Sequence, residues 1–63
     1  MNARKKIMFD LGGCSIMSLN YELAHNVAEL AETYNTSEAT VATALTELRN
    51  AESERYKKAE NNG

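Results

Sequence analysis

The 63-residue sequence predicts a mainly α-helical protein with an N-terminal β-strand or short hairpin, arranged strand-helix-helix and paired as an intertwined homodimer. Three observations predict this fold class. Apolar residues recur with a helical period after Asn20, and two short segments, the first of them apolar and β-tolerant, flank a Gly-Gly pair before it. The chain is also too short to bury a large core on its own.

The first predicted element is extended. Residues 6–11 and 14–18 are short apolar runs on either side of Gly12 and Gly13, and both glycines accept the positive φ of a hairpin turn. The pattern leaves open whether residues 6–18 form one strand or a hairpin. Two strands alone are only marginally stable, so they need a helix pair or a partner chain against one face.

The first predicted helix begins after Asn20, which is a favourable N-cap residue. Its apolar stripe consists of Leu23, Val27, Leu30, Ala31 and Tyr34. Asn35 follows this stripe, and asparagine is the non-glycine residue that best tolerates the left-handed conformation at a helix end. We therefore expect the helix to end there.

The second predicted helix starts after Thr36 or Ser37, either of which can cap it, and Glu38 suits its positive end. Its apolar stripe consists of Val41, Ala44, Leu45 and Leu48. Beyond Leu48 the apolar residues become sparse and the charge rises, which indicates a solvated extension. The sequence thus predicts one domain over residues 1–63, with a flexible arm at 1–5 and a frayed tail at 60–63.

The small size and the composition exclude several classes of protein. One cysteine, Cys14, cannot form an internal disulfide, and one cysteine with one histidine cannot complete a structural zinc site. Oligomerisation is the remaining way to stabilise so short a chain, and a two-fold homodimer is its commonest form. We expect no metal, no cofactor and no enzymatic activity, since no catalytic constellation is visible and the chain is too small for a usual substrate pocket.

The sequence also indicates where the protein acts. No apolar run approaches the length that spans a bilayer, and no stretch has the order of a signal peptide. With a single free cysteine, this predicts a cytoplasmic protein without a membrane partner.

Charge is distributed unevenly along the chain. Residues 1–20 contain three basic residues against one aspartate, for a net charge of +2, whereas residues 21–63 contain four basic residues against eight glutamates, for a net charge of −4. No Lys or Arg lies between Tyr21 and Leu48. Any attraction to phosphate should therefore be concentrated at the N-terminus.

Two family resemblances involve the same residues. The segment 27–48 resembles the helix-turn-helix of winged-helix repressors, with Leu30-Ala31 on the first helix, Ser37 after the turn and Val41 and Leu45 on the second. Asn35 stands where that family usually has glycine, and such domains need a further helix before the pair. Residues 1–19 are not predicted to supply one.

Nearly the whole chain is similar to the ribbon-helix-helix (Arc-type) repressors. The pattern Leu19-Asn-Tyr-Glu22-Leu23 is followed by Val27, Leu30-Ala31, Asn35, Ser37, Val41 and Leu45. The resemblance implies a dimer whose paired strands enter the major groove of duplex DNA, with phosphate held at the N-terminus of the second helix.

The charge distribution favours the ribbon-helix-helix interpretation, because a helix-turn-helix would present an acidic surface to DNA. The predicted DNA-binding residues are a basic arm, strand positions facing the bases, and the start of the second helix. They are Arg4, Lys5, Lys6, Ile16, Ser18, Thr36, Ser37 and Thr40. The function predicted is a dimeric, sequence-specific transcriptional regulator, most simply a repressor.

An alternative from a different class stays open. The acidic surface and the charged C-terminal helix would also suit a helical hairpin that binds a protein, such as an antitoxin, an inhibitor or an anti-regulator, and never contacts DNA.

Overall fold

The computed structural model describes the backbone of residues 2–62 and the side chains of residues 2–59, and all its regular elements are helices. These are α1 (Ala3–Leu11), α2 (Ile16–His25), α3 (Val27–Thr33) and α4 (Glu38–Asn62). Helices α1, α2 and α3 all pack against α4. The predicted strand-helix-helix fold with an N-terminal strand or hairpin is therefore wrong, because the described chain contains no strand.

Local sequence chemistry explains why residues 3–11 form a helix. The side chain of Asn2 caps α1 by accepting a hydrogen bond from the Lys5 backbone N–H at 2.9 Å. Ala, Arg, Lys, Met and Leu, which dominate α1, are all strong helix formers. The helical period also buries Ile7 while Lys5 and Lys6 stay exposed to solvent. A helix forms its backbone hydrogen bonds within itself, so it needs no partner strand.

The Gly-Gly pair connects two helices instead of two strands. Neither glycine has a positive φ, and Gly12 forms the C-cap of α1 in the right-handed helical region. A Cβ at Gly12 would lie 2.7 Å from the carbonyl oxygen of Met8, so this position requires glycine for space. A Cβ at Gly13 would have no neighbour within 4 Å.

Ser15 caps α2, which therefore starts five residues earlier than the helix expected after Asn20. Its hydroxyl accepts from the Ser18 backbone N–H at 3.1 Å, as an N-cap residue does. The helical run breaks once, at Asn26, which separates α2 from α3 with φ −121° and ψ 12°. Backbone bonds from Asn26 to Glu22 and from Leu30 to Asn26 continue through the break, so the two helices form a bent pair.

One core holds the four helices together. Its buried members come from every helix: Ile7, Leu19, Ala31, Val41, Ala44 and Leu45. The predicted stripes are confirmed as core-facing, since Leu23, Val27, Leu30, Tyr34 and Leu48 pack against these buried residues. Each fully buried aliphatic side chain contributes about 1.5–3 kcal/mol.

Candidate nucleic-acid interface

Helices α3 and α4 are joined by a tight four-residue turn at residues 34–37. Asn35 has φ 52°, the left-handed conformation expected for it from the sequence. The Thr36 N–H donates to the Ala31 carbonyl at 2.9 Å and the Asn35 N–H donates to the Glu32 carbonyl at 3.1 Å. These two bonds form a Schellman motif, which satisfies the carbonyl groups at the end of α3 and fixes the direction in which α4 departs.

Ser37 is the N-cap of α4. Its hydroxyl oxygen accepts from the Thr40 backbone N–H at 3.1 Å, and the Ser37 and Thr40 hydroxyls lie 2.9 Å apart. Thr36 is half-buried in the turn. The structure thus brings Thr36, Ser37 and Thr40 together at the positive end of a 25-residue helix.

A shallow cleft of about 650 Å³ lies between α3 and the start of α4. It is lined by Ala28, Glu29, Ala31, Glu32, Asn35, Thr36, Ser37 and Glu38. Three of these residues are glutamates and none is basic. The local field of this cleft therefore attracts cations and opposes phosphate.

The outward face of the first half of α4 is almost uncharged. Ala39 and Thr43 are exposed there, and Glu47, further along, is turned into an ion pair with Arg4. Sequence reasoning did not single out Ala39 and Thr43. They could have been found from the helical period, because they occupy the side of α4 opposite the buried Val41, Ala44 and Leu45.

The basic residues predicted to form an arm belong to α1. Arg4 binds Glu47 of α4 through two hydrogen bonds, from Nε at 3.2 Å and from Nη2 at 2.5 Å. The hydrogen bonds that Arg4 donates to Glu47, together with the negative charge of Glu47, raise the pKa of Arg4 above its ordinary value. Arg4 thus forms an ion pair that links α1 to α4, whereas Lys5 and Lys6 are exposed. Met1, the other end of the predicted arm, lies outside the described residues.

The predicted strand positions lie away from the α3–α4 turn. Ile16 is half-buried at the start of α2 and lines a hollow with Tyr56 of α4, while Ser18 is exposed in the first turn of α2. Tyr56 follows Thr40 by sixteen residues, which corresponds to about 24 Å along a helix. Ile16 and Ser18 therefore do not share a surface with Thr36, Ser37 and Thr40.

The described residues contain no group of His, Cys, Asp and Glu side chains that could hold a metal ion. His25 is exposed beside Tyr21, with the ring centroids 4.7 Å apart. None of the helices in the described part of the chain has the length and hydropathy needed to cross a bilayer.

Comparison with family models, curated proteins and solved structures gave no significant match to this chain.

Proposed function

We propose that this protein is a small DNA-binding transcriptional regulator that contacts duplex DNA through the α3–turn–α4 unit, and that it acts in the cytoplasm. One observation carries the proposal: two helices joined by a four-residue turn, with Ala31, Val41 and Leu45 buried where they pack. A helix-turn-helix unit of this kind needs a further helix before it, and α1 and α2 lie in that position. No helix was predicted there from residues 1–19.

The start of α4 supplies the phosphate contacts in this proposal. The first backbone N–H groups of a helix point outward and favour an anion, and Thr36, Ser37 and Thr40 surround this end. Ala39 and Thr43 then face the bases. Their methyl groups suit thymine, and the Thr43 hydroxyl can donate to or accept from a base edge.

The acidic cleft limits how tightly DNA is held. Glu29, Glu32 and Glu38 lie beside the proposed phosphate site, and the exposed cations of α1 are Lys5 and Lys6. We expect few phosphate contacts, a shallow dependence of affinity on salt, and a clear gain in affinity when one of these carboxylates is neutralised.

The test is fluorescence anisotropy with a labelled random-sequence duplex over a salt titration. Glu38→Gln should tighten binding by about threefold or more, because it removes one negative charge next to phosphate. Glu54→Gln removes the same charge from the second half of α4 and is the matched control, which should leave affinity nearly unchanged. Lys5→Ala/Lys6→Ala should reduce the slope of log K against log salt by up to about 2.

Two results would contradict the proposal. The first is no measurable binding to duplex DNA at low salt by the folded protein. The second is an equal effect of Glu38→Gln and Glu54→Gln, since this would show that the start of α4 is not near the phosphates.

The acidic cleft itself favours a second candidate function, a helical module that binds a basic segment of another protein. An antitoxin, an inhibitor or an anti-regulator would act in this way. Here Glu38→Gln should weaken binding to a polylysine probe, while the same substitution should strengthen binding to DNA if the first proposal holds. The opposite signs of the two effects separate the two functions.

A further inference from the structure

An exposed apolar patch lies where α2 meets the second half of α4. Met17 is 82% exposed and Tyr56 is 60% exposed, and both line one hollow together with the half-buried Ile16. Tyr21, which is 58% exposed, follows Met17 by four residues and so extends the patch along the same side of α2. Exposed apolar patches often mark interaction sites, which makes this patch the first candidate for one.

The patch combines an exposed ring with neighbouring hollows. Tyr56 lines two of them: one of about 630 Å³ beside Ile16 and Met17, and one of about 240 Å³ beside Arg55 and Ala59. A two-fold interface uses the same surface on both subunits, so that surface must offer both a protruding group and a cavity. Tyr56 and its flanking hollows meet this requirement.

The charges of the patch also suit a second copy. Glu52 forms an ion pair with Arg55 on α4, and Arg49 donates to the side-chain oxygen of Asn20 at 3.3 Å. Glu52 and Arg55 cancel each other, so the hollow side of the patch beside Tyr56 has no net charge. Two copies can therefore approach without the repulsion that their acidic clefts would cause, and a polyanion gains nothing there.

The exposed side chains of the patch supply part of the area that a small specific interface needs. The accessible surface is 4465 Å² for this 7.0 kDa chain, whereas a compact monomer of that mass exposes about 4000 Å². The exposed parts of Tyr21, Tyr56 and Met17 alone offer roughly 350 Å² on each copy, given the area of an aromatic side chain. With their polar rim on both copies, this approaches the roughly 1,200 Å² at the lower end of specific interfaces.

We propose that two copies of this chain pair through this patch around a two-fold axis near Tyr56, with the second halves of α4 antiparallel. Each Tyr56 ring then enters a hollow beside the Tyr56 of the other copy, and Met17 and Tyr21 cover the rings from α2. This dimer uses α2 and α4, in place of the paired strands that the sequence predicted.

Sedimentation velocity from micromolar to millimolar concentration tests the proposal in the absence of DNA. The wild-type chain should shift from monomer to dimer over this range. Tyr56→Glu and Met17→Glu should each weaken dimerisation by more than about tenfold, because a carboxylate would be buried unpaired. Tyr56→Phe should retain the dimer, since it keeps the ring.

Phe9→Glu is the matched control, because Phe9 is 80% exposed on α1 and does not line either hollow. It should dimerise like the wild type. Far-UV circular dichroism establishes that each variant is folded before its sedimentation is compared. A wild-type chain that remains monomeric at millimolar concentration would overturn the proposal, and so would equal effects of Tyr56→Glu and Phe9→Glu. Neither result depends on whether the protein binds DNA.

Discussion

The two halves of α4 belong to one continuous helix, yet different interactions hold them in place. Residues 38–48 bury Val41, Ala44 and Leu45 in the core, whereas every described side chain in residues 49–59 is exposed or half-buried. The second half is supported by the ion pairs Glu52–Arg55 and Glu54–Lys57, the latter at 3.8 Å. Such pairs contribute only a few tenths of a kcal/mol each.

This difference indicates that tertiary packing stabilises the first half of α4, and that the second half is helical because it continues from the first. A helix of about ten residues is not stable alone in water. The second half therefore depends on continuity with the packed half and, in the proposed dimer, on a second copy. In the proposed dimer, stability and assembly thus depend on different halves of the same helix.

The largest expected effect on stability comes from a substitution in the packed first half of α4. Leu45→Ala leaves a cavity in the core and should lower the free energy of unfolding by about 2–5 kcal/mol. Tyr56→Ala, in the second half, should change it by less than about 1 kcal/mol when measured at a concentration too low for pairing. Urea denaturation followed by circular dichroism measures both. Similar losses for the two variants would show that the halves are not distinct.

A smaller effect concerns how α4 begins. Ser37→Ala removes the oxygen that caps the Thr40 N–H and should lower the free energy of unfolding by about 1 kcal/mol. Ser53→Ala is the matched control inside the second half, where alanine is the better helix former and should be neutral or slightly stabilising. A neutral Ser37→Ala would mean that packing alone positions the start of α4.

The smallest effect concerns a contact between α1 and the end of α3. The Tyr34 hydroxyl donates to Asp10 at 2.8 Å, and this hydrogen bond, with partial burial and the Asp10 charge, raises the pKa of Tyr34 above its ordinary value of 10.0. The neutral phenol is thus favoured in the folded state. Its contribution is fully present below the unfolded pKa and is lost as pH rises through the raised folded pKa.

Tyr34→Phe should therefore be slightly less stable than wild type near neutral pH, and this difference should disappear in alkaline solution. Denaturation curves at neutral pH and above pH ~11 provide the measurement. Tyr21→Phe, on the surface of α2, is the control. A difference between wild type and Tyr34→Phe that stays constant with pH would show that the hydrogen bond to Asp10 is unimportant.

The sequence was informative where several local signals agreed. Between Leu23 and Leu48 the apolar stripes and the left-handed Asn35 were predicted and are confirmed. A cap at Thr36 or Ser37 was also predicted, and Ser37 is the one that caps α4. Each depends on chemistry within a few residues or on a regular period. The Asn26 break was not predicted, because the apolar stripe runs through it and the Asn26 side chain provides no cap.

The N-terminal third was predicted wrongly because β-propensity and the Gly-Gly pair were given more weight than the helix caps. Ile7 and Phe9 are β-tolerant, and Gly12-Gly13 resembles a hairpin turn, but the caps at Asn2 and Ser15 favour helices. Among the DNA-binding residues predicted from the sequence, Thr36, Ser37 and Thr40 lie together at the start of α4. The pairing of Arg4 with Glu47 joins residues 43 positions apart, which no local pattern could reveal.

The two adjacent glycines have unequal tolerance to change. Gly12 cannot gain a side chain without displacing the Met8 carbonyl, whereas Gly13 has open space and an ordinary φ. Gly13 is thus a suitable attachment point on this protein, where a substituted side chain can carry a fluorophore or an affinity label between α1 and α2 without meeting a neighbouring atom.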